Sequence, residues 1–258
     1  MASPNDHTDL AAGIKRTARW IDESSRLVVF TGAGVSTESG IPDFRSPGGV
    51  WTKYRTVYFD EFLASADARH EYWRQKCEMH REFADAQPNA GHSALAVWEV
   101  AGRICGIITQ NIDGLHQMAG SRRVLELHGT ARQAACLDCH ERYDIEPLVV
   151  QFQAEGRVPD CPKCGGRLKH ATISFGQMLP ADVLMEATRW SREADLMLAI
   201  GSSLVVTPAA DLPRVAKEHG ARLVIVNREA TPLDSLADAV LSGPIGEVLT
   251  AINEALPA

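Results

Sequence analysis

Short, unbroken apolar runs separated by longer amphipathic stretches set the rhythm of this 258-residue chain. Leu27-Val28-Val29-Phe30, Ile104-Cys105-Gly106-Ile107-Ile108 and Leu223–Val226 are such runs, and 124–127, 195–200 and 238–241, each with one acidic residue, read as further short strands. Apolar positions that follow one another, instead of alternating, predict strands covered on both faces. Helical spacing of apolar residues marks 8–23, 59–86, 92–100, 208–219 and 246–255, and Gln87-Pro88-Asn89 ends the second of these. Strands that alternate with helices predict an α/β fold, a parallel sheet with helices on both faces.

The rhythm fails between residues 131 and 170. This stretch holds Pro147, Pro159, Pro162, the pair Gly165-Gly166 and four of the six cysteines, and reads as an insertion with a small core of its own. Cys136-x-x-Cys139 and Cys161-x-x-Cys164 are separated by the 21 residues 140–160. Two close thiolate pairs can supply the four corners of a tetrahedral zinc ion. Two pairs in one Pro/Gly-rich insert weigh against the other reading, a redox dithiol. With every corner held by sulfur the zinc is expected to be structural. His140 and His170 are expected at the surface, outside the ligand set, and Cys77 and Cys105 as buried, inert thiols.

Polar and glycine residues collect immediately after the strands, at 31–45, 109–113, 128–129, 201–203 and 227. In doubly wound sheets the carboxyl ends of the strands form the ligand crevice, so five segments are expected to converge there. Gly32-Ala33-Gly34 follows the first strand as in a dinucleotide-binding loop, but Thr37 stands where the third glycine belongs. Gly32 and Gly34 are expected to let the backbone approach a pyrophosphate. Ser202 and Ser203 after Gly201 offer further phosphate donors, and Asn227 suits a ribose or adenine edge. A dehydrogenase would carry an acid about 20 residues past the glycines. Here that region reads "WTKYRTVYF", with no acid before Asp60, so the dinucleotide is expected to be held in an unusual way.

Composition narrows the partners. The formal net charge of −7 disfavours direct nucleic-acid binding and suits a basic peptide. No apolar run approaches the roughly 20 residues of a membrane span, and "MASPNDHTDL" has neither a basic start nor an apolar core, so a cytoplasmic location is expected.

Taken together, "GAGVSTESGIPDFR", "TQNID", "HG", the two C-x-x-C pairs, "FGQMLP", "GSSLVVTPAADLP" and "IVN" resemble the sirtuins, the NAD-dependent protein deacylases. The likeness runs in order from about residue 10 to residue 250, and the short termini suit a prokaryotic-type member. It implies a large Rossmann-like domain (1–45, 90–131 and 171–258), a helical insert (46–89) and a zinc-binding insert (132–170), with NAD and an acyl-lysine peptide meeting in the cleft. It implies that the acyl oxygen attacks the nicotinamide ribose and that the acyl group passes from lysine to ADP-ribose. His128 is implied as the general base, and Asn111 and Gln110 as positioning the ribose and a water. Asp113 with the backbone of Ile41 and Ile112 would hold the carboxamide. Phe44 would shield the reactive face, and Arg45 would steady phosphate or ribose. Ala33, Ser36, Asp43 and Ile245 complete the implied cofactor contacts. The peptide is implied to add as a strand between Phe175-Gly176-Gln177 and Leu204-Val205-Val206, its lysine amide bound by the Ile173 carbonyl.

Two departures bear on specificity. Lys169-His170-Ala171 stands where the family usually has Pro, and Gln177 where it usually has Glu; losing that Glu removes a negative charge near the peptide groove and weakens any preference for basic flanking residues. Members that prefer succinyl or malonyl groups carry Tyr and Arg three apart. Here Tyr72 is followed at that spacing by Gln75, and Trp73 by Lys76, so an acetyl or other uncharged acyl group is expected. Mono-ADP-ribosyl transfer and a non-enzymatic, NAD-sensing zinc module are the competing readings.

Overall fold

Six of the apolar runs become one parallel sheet. The computed structural model describes residues 4–43 and 54–257, without the side chains of residues 4–9, 81 and 82. The strands are β1 (Leu27–Thr31), β2 (Ile104–Thr109), β3 (Val124–Glu126), β7 (Leu196–Ile200), β8 (Arg222–Val226) and β9 (Ala239–Leu241), in the order β3-β2-β1-β7-β8-β9. Counted along the chain this is the doubly wound order, reversing between β1 and β7. All pairings in this sheet are parallel, and β1 and β7 are buried along their whole length.

Alternate side chains of β1 enter opposite cores. Leu27 and Val29 pack with α1 (Pro4–Glu23), α4 (Ala90–Val100) and α9 (Ile245–Ala255) through Ile21, Leu95, Trp98 and Leu249. Val28 and Phe30 pack with α7 (Ala181–Glu193) and α8 (Leu212–Glu218) through Trp190 and Leu212. Trp98 is 1% exposed and donates from Nε1 to Asn253 Oδ1 at 2.8 Å, joining α4 to α9. Truncating such a side chain to Ala typically costs about 3–5 kcal/mol.

A second, antiparallel sheet has the order β5-β4-β6, from β4 (Gly129–Cys136), β5 (Arg142–Asp144) and β6 (Leu168–Thr172). With it go α2 (Phe59–Ala64), α3 (Ala66–Ala84) and α6 (Ile145–Glu155). The insertion does not have a core of its own. Phe62, Tyr72, Trp73 and Cys77 of the helical segment pack with Leu148, Phe152 and Leu168 in one cluster. The helix expected over 59–86 is divided at Ser65, whose Oγ accepts the Ala68 N–H at 3.2 Å and so caps α3. The helix expected from residue 8 begins at Pro4. His170, expected at the surface, is 3% exposed, while His140 is exposed. Cys77 is buried and Cys105 half-buried.

Candidate active site

Backbone hydrogen bonds carry the sheet past its carboxyl edge. Gly32 N–H donates to Ile200 O (3.0 Å), Gln110 N–H to Thr31 O (2.9 Å), Leu127 N–H to Thr109 O (2.9 Å), and Gly201 N–H to Val226 O (2.9 Å). The five polar segments are therefore fixed relative to one another before any side chain acts. They line one cavity of about 750 Å³, which includes Gly32, Ala33, Gly34, Asp43, Gln110, Asn111, Ile112, His128, Gly201, Ser202, Ser203, Asn227 and Ile245.

The glycines at the switch point serve a closer purpose than phosphate approach. A Cβ on Gly32 or Gly34 would lie 2.8 Å from backbone atoms of Gly201. Gly201 sits at φ 64°, and its Cβ would come 2.5 Å from Val35 N. The loops after β1 and β7 thus touch backbone to backbone, with Gly34 N–H donating to Gly201 O at 2.8 Å. Both glycines still line the cavity, with their own N–H groups taken by Ile200 O and Gly201 O. Ser202 Oγ accepts from Gln110 Nε2 at 2.7 Å, tying β2's loop to β7's.

Beneath the cavity floor lies a hydrogen-bonded polar layer. Ser36 Oγ donates to Asp113 Oδ2 (2.7 Å), Asn111 Nδ2 donates to Ser36 Oγ (3.0 Å), and Leu115 N–H donates to Asp113 Oδ1 (2.9 Å). Asp113 is 4% exposed and, like Ser36 and Ile41, supports the cavity wall from behind. Thr109 Oγ1 accepts both the Thr31 hydroxyl (2.8 Å) and the Asn111 N–H (3.0 Å), which sets the start of this turn.

His128 occupies the end of β3's extension. Its Nδ1 lies 3.0 Å from the Gln110 carbonyl oxygen, which can only accept. The proton therefore sits on Nδ1, and Nε2 carries the free lone pair of the neutral ring. Burial lowers the imidazole pKa, against a smaller raising influence from the Gln110 carbonyl, so the ring favours that neutral form. The glycine after it is dictated by the turn. Gly129 has φ 70°, and a Cβ there would stand 2.0 Å from Ala171 O. That close crossing lets Ile173 N–H donate to His128 O at 2.8 Å and brings the end of β6 to the histidine.

Beyond β6, Ile173, Phe175, Gly176 and Gln177 line the cavity, whereas Val205 lies outside the lining and its neighbour Val206 belongs to it. The segment 175–177 is a turn and not an extended edge. Gly176 has φ 81°, Gln177 N–H donates to Ser174 O at 3.0 Å, and Phe175 O accepts Phe59 N–H at 2.9 Å. It is as this turn that the segment expected to receive the peptide lines the cavity. Phe44 and Arg45 fall outside the described residues. The opposite wall of the cavity comes from Tyr54, Arg55, Tyr72, Gln75, Lys76 and Met79; the sequence reading weighed Tyr72, Gln75 and Lys76 for acyl choice and missed Tyr54, Arg55 and Met79. For the first two of these the only signal was the aromatic and charged character of 51–76.

The four paired cysteines converge away from this cavity. Their Sγ atoms lie within 4.8 Å of one another, with Cys136–Cys164 at 3.6 Å and Cys139–Cys161 at 3.7 Å. These separations exclude disulfides, whose sulfurs stand about 2.05 Å apart. A tetrahedron with Zn–S bonds of about 2.3 Å has edges of about 3.8 Å. The thiolates fit one zinc ion with no corner left for water. Gly166 is required here, because a Cβ would meet Asp138 Oδ2 at 2.5 Å.

Fold and site define a dinucleotide-binding α/β protein with a thiolate metal lobe. A model of the Sir2 family matches residues 32–208. The chain is 50% identical over 244 residues to NAD-dependent protein deacetylase 1 of Bradyrhizobium diazoefficiens, covering 94% of this chain and 96% of that protein. It is 44% identical over 242 residues to NAD-dependent protein deacylase 2 of Archaeoglobus fulgidus, covering 93% and 95%. Among solved structures, a Sir2 complex with a p53 peptide and NAD+ superposes with a TM-score of 0.86 at 38% identity, over 93% of this chain and 97% of that one. This chain belongs to the Sir2 family.

Proposed function

We propose that the protein is an NAD-dependent protein-lysine deacetylase, in which His128 is the general base and the strand-end loops hold the cofactor. The observation that carries this reading is the His128 ring, its Nδ1 fixed 3.0 Å from Gln110 O, in the same cavity as the loops after β1, β2, β7 and β8. Relatives named as NAD-dependent protein deacetylases, and solved Sir2 complexes with acetylated and propionylated peptides, support the substrate class.

Bound NAD supplies a ribose carbon that accepts the acyl oxygen as nicotinamide leaves. The chain's own groups prepare that exchange. Ser202 and Ser203 offer donors for phosphate, and Asn227 one for a ribose or adenine edge. Asn111 and Gln110 face the ribose. Asp113 engages Ser36 and the Leu115 amide, yet a carboxylate has about four lone-pair positions and can also accept from a carboxamide beside Ile112. His128 Nε2 takes a proton from a ribose hydroxyl, freeing the oxygen that receives the acyl group. Its lowered pKa keeps it a base at neutral pH. Ile173 and Gly176 bind the peptide backbone, so sequence preference is modest.

The three-part division at 45/46, 89/90, 131/132 and 170/171 belongs to this proposal. The helical insert roofs the strand ends, and the zinc-binding insert braces it through their shared core. A cytoplasmic protein that binds neither nucleic acid nor membrane fits the charge of −7, and among the described residues no helix is long and apolar enough to cross a membrane. Mass spectrometry of an acetyl-lysine peptide, with and without NAD, tests the reading. Deacetylated peptide with acyl-ADP-ribose, only when NAD is present, is expected. NAD-derived label retained on protein, or no nicotinamide release, would overturn it.

A further inference from the structure

Between the histidine and the metal lobe, β4 breaks its pairing with β6. Gly129 stands opposite Thr172, and pairing resumes only from Ala134 to Cys136, opposite His170 to Leu168. Over residues 130–133 the strand serves the loop after β2 instead. Ala131 N–H donates to Ile112 O at 2.8 Å, and Arg132 Nε donates to Asp113 O at 2.8 Å.

The path of the arginine side chain is closely defined. Thr130 Oγ1 accepts the Arg132 N–H at 3.2 Å, which fixes the backbone it grows from. The side chain is half-buried, and its Cγ and Nε lie 3.4 and 3.5 Å from where a Cβ on Gly114 would stand. Gly114, at φ 74°, turns the chain into α5 (Leu115–Met118), and the arginine stem lies against that turn. At the far end Nη2 donates to Met118 Sδ at 3.2 Å. One guanidinium therefore spans the turn from Asp113 to Met118.

Asp113 is what this contact governs. Ser36 Oγ and the Leu115 N–H hold the two oxygens of its carboxylate, while Arg132 holds the peptide plane that follows it. A charged donor binds a carbonyl more strongly than a neutral one, so loss of the guanidinium would free the backbone from which the carboxylate projects. Ile112, bonded to the neighbouring Ala131, lines the cavity. The same short stretch of β4 thus braces both residues assigned to the carboxamide. Arg132 itself is not part of the cavity lining, so its influence passes through Asp113.

We propose that Arg132 is a positioning residue for the nicotinamide end of the site: by fixing Asp113 O it aims the Asp113 carboxylate at the carboxamide and sets how tightly nicotinamide is held. This deepens the deacylase reading and rests on it.

The test uses the full chain, NAD and an acetyl-lysine peptide, with nicotinamide as product inhibitor. ADP-ribose is the control ligand, since it keeps both riboses and both phosphates but lacks the carboxamide. Arg132→Met keeps an apolar stem over Gly114 and removes the donors. A hydrogen bond to a charged group is worth about a tenfold change or more, so the nicotinamide inhibition constant is expected to rise about tenfold in Arg132→Met, with the Kd for ADP-ribose within about twofold of the parent value. Arg132→Lys, which retains a charged donor, should recover most of the inhibition. An unchanged inhibition constant in Arg132→Met would overturn the proposal. So would an equal loss of ADP-ribose affinity, which marks a general loosening of the fold. Should Arg132→Met fail to fold, a crystal structure of the parent chain with nicotinamide decides. Arg132 Nε within about 3.2 Å of Asp113 O, with the carboxamide on Asp113, is expected. An arginine turned away from Asp113 O in that complex would overturn the proposal. Turnover of the acetyl peptide by the parent chain tests the underlying deacylase reading separately.

Discussion

The edge of the large sheet and the wall between α3 and β6 handle buried polarity in opposite ways. At the sheet edge, polar side chains are tied to one another: Ser36 to Asp113 and Asn111, Thr31 to Thr109 and His116, Gln110 to Ser202, all at 2.7–3.0 Å. At the other wall, Lys76, Lys169 and His170 crowd together around Tyr72 and Trp73 with no acid among them. The first region is preorganised before a ligand arrives, which is what catalysis asks of donors and dipoles. The second is left without a counter-charge, which burial makes costly.

The comparison breaks most severely if the small lobe loses its metal. Structural zinc supplies about 10–16 kcal/mol in small metal domains, as much as the roughly 5–15 kcal/mol that holds a whole domain folded. Cys136→Ser or strong chelation should release one zinc per chain and abolish cooperative unfolding of the α3–β6 wall, while the parallel sheet stays folded. Metal analysis and near-ultraviolet circular dichroism check this.

His128→Ala tests the preorganised side alone. Removing a positioned acid–base group should lower deacetylation by about 10²–10⁴-fold with NAD binding retained, as calorimetry would measure. Gly201→Ala tests the loop contact beneath the cofactor. Its φ of 64° and the 2.5 Å approach to Val35 N should cost at least about 1–3 kcal/mol and weaken NAD binding. Gly220→Ala, at φ 98° with no atom near the added carbon, should carry the backbone strain without the loss of NAD affinity.

Acid should loosen both regions more gently. Burial holds His116 down to about 3 and also lowers His92 and His170. From about pH 6.5 downward the unfolded chain takes protons that the folded chain refuses, so these groups make stability fall as pH drops, by at most about 1.4 kcal/mol per unit for each histidine. Denaturant titrations between pH 7 and pH 4 measure the slope. For activity, the lowered His128 pKa places the acid limb of kcat/KM below about pH 6.5. The smallest effect is expected of Gln177→Glu. A rim charge is worth about 0–1 kcal/mol, so preference for basic flanking residues should rise about fivefold at most.

The sheet was legible because both its faces are covered. Burial on both sides demands consecutive apolar residues, and Leu27-Val28-Val29-Phe30 can hardly be read otherwise. The convergence of polar residues after those strands was legible for the same reason, since only strand ends can leave the core. The small lobe was harder to read. β6 buries Lys169, His170 and Thr172, so its sequence has no apolar alternation to recognise. α6 carries Pro147, which reads as a breaker but is tolerated in the first turn, where its missing N–H has no partner to lose. The glycines were legible as special positions, but their reason was not. Gly32 and Gly34 looked like phosphate-loop residues, and only the packing of the loop after β7 reveals that they touch Gly201. The cationic wall left no trace in spacing, because Lys76 and Lys169 lie far apart in sequence and meet only across Tyr72.

A crystal structure with NAD and an acetyl-lysine peptide tests the central claim most directly. The account requires His128 Nε2 within about 2.6–3.2 Å of a ribose hydroxyl, or one water away, with the acetyl oxygen directed at the adjacent ribose carbon. A ribose held on the far side of Ser202, with Nε2 facing only protein, would contradict it.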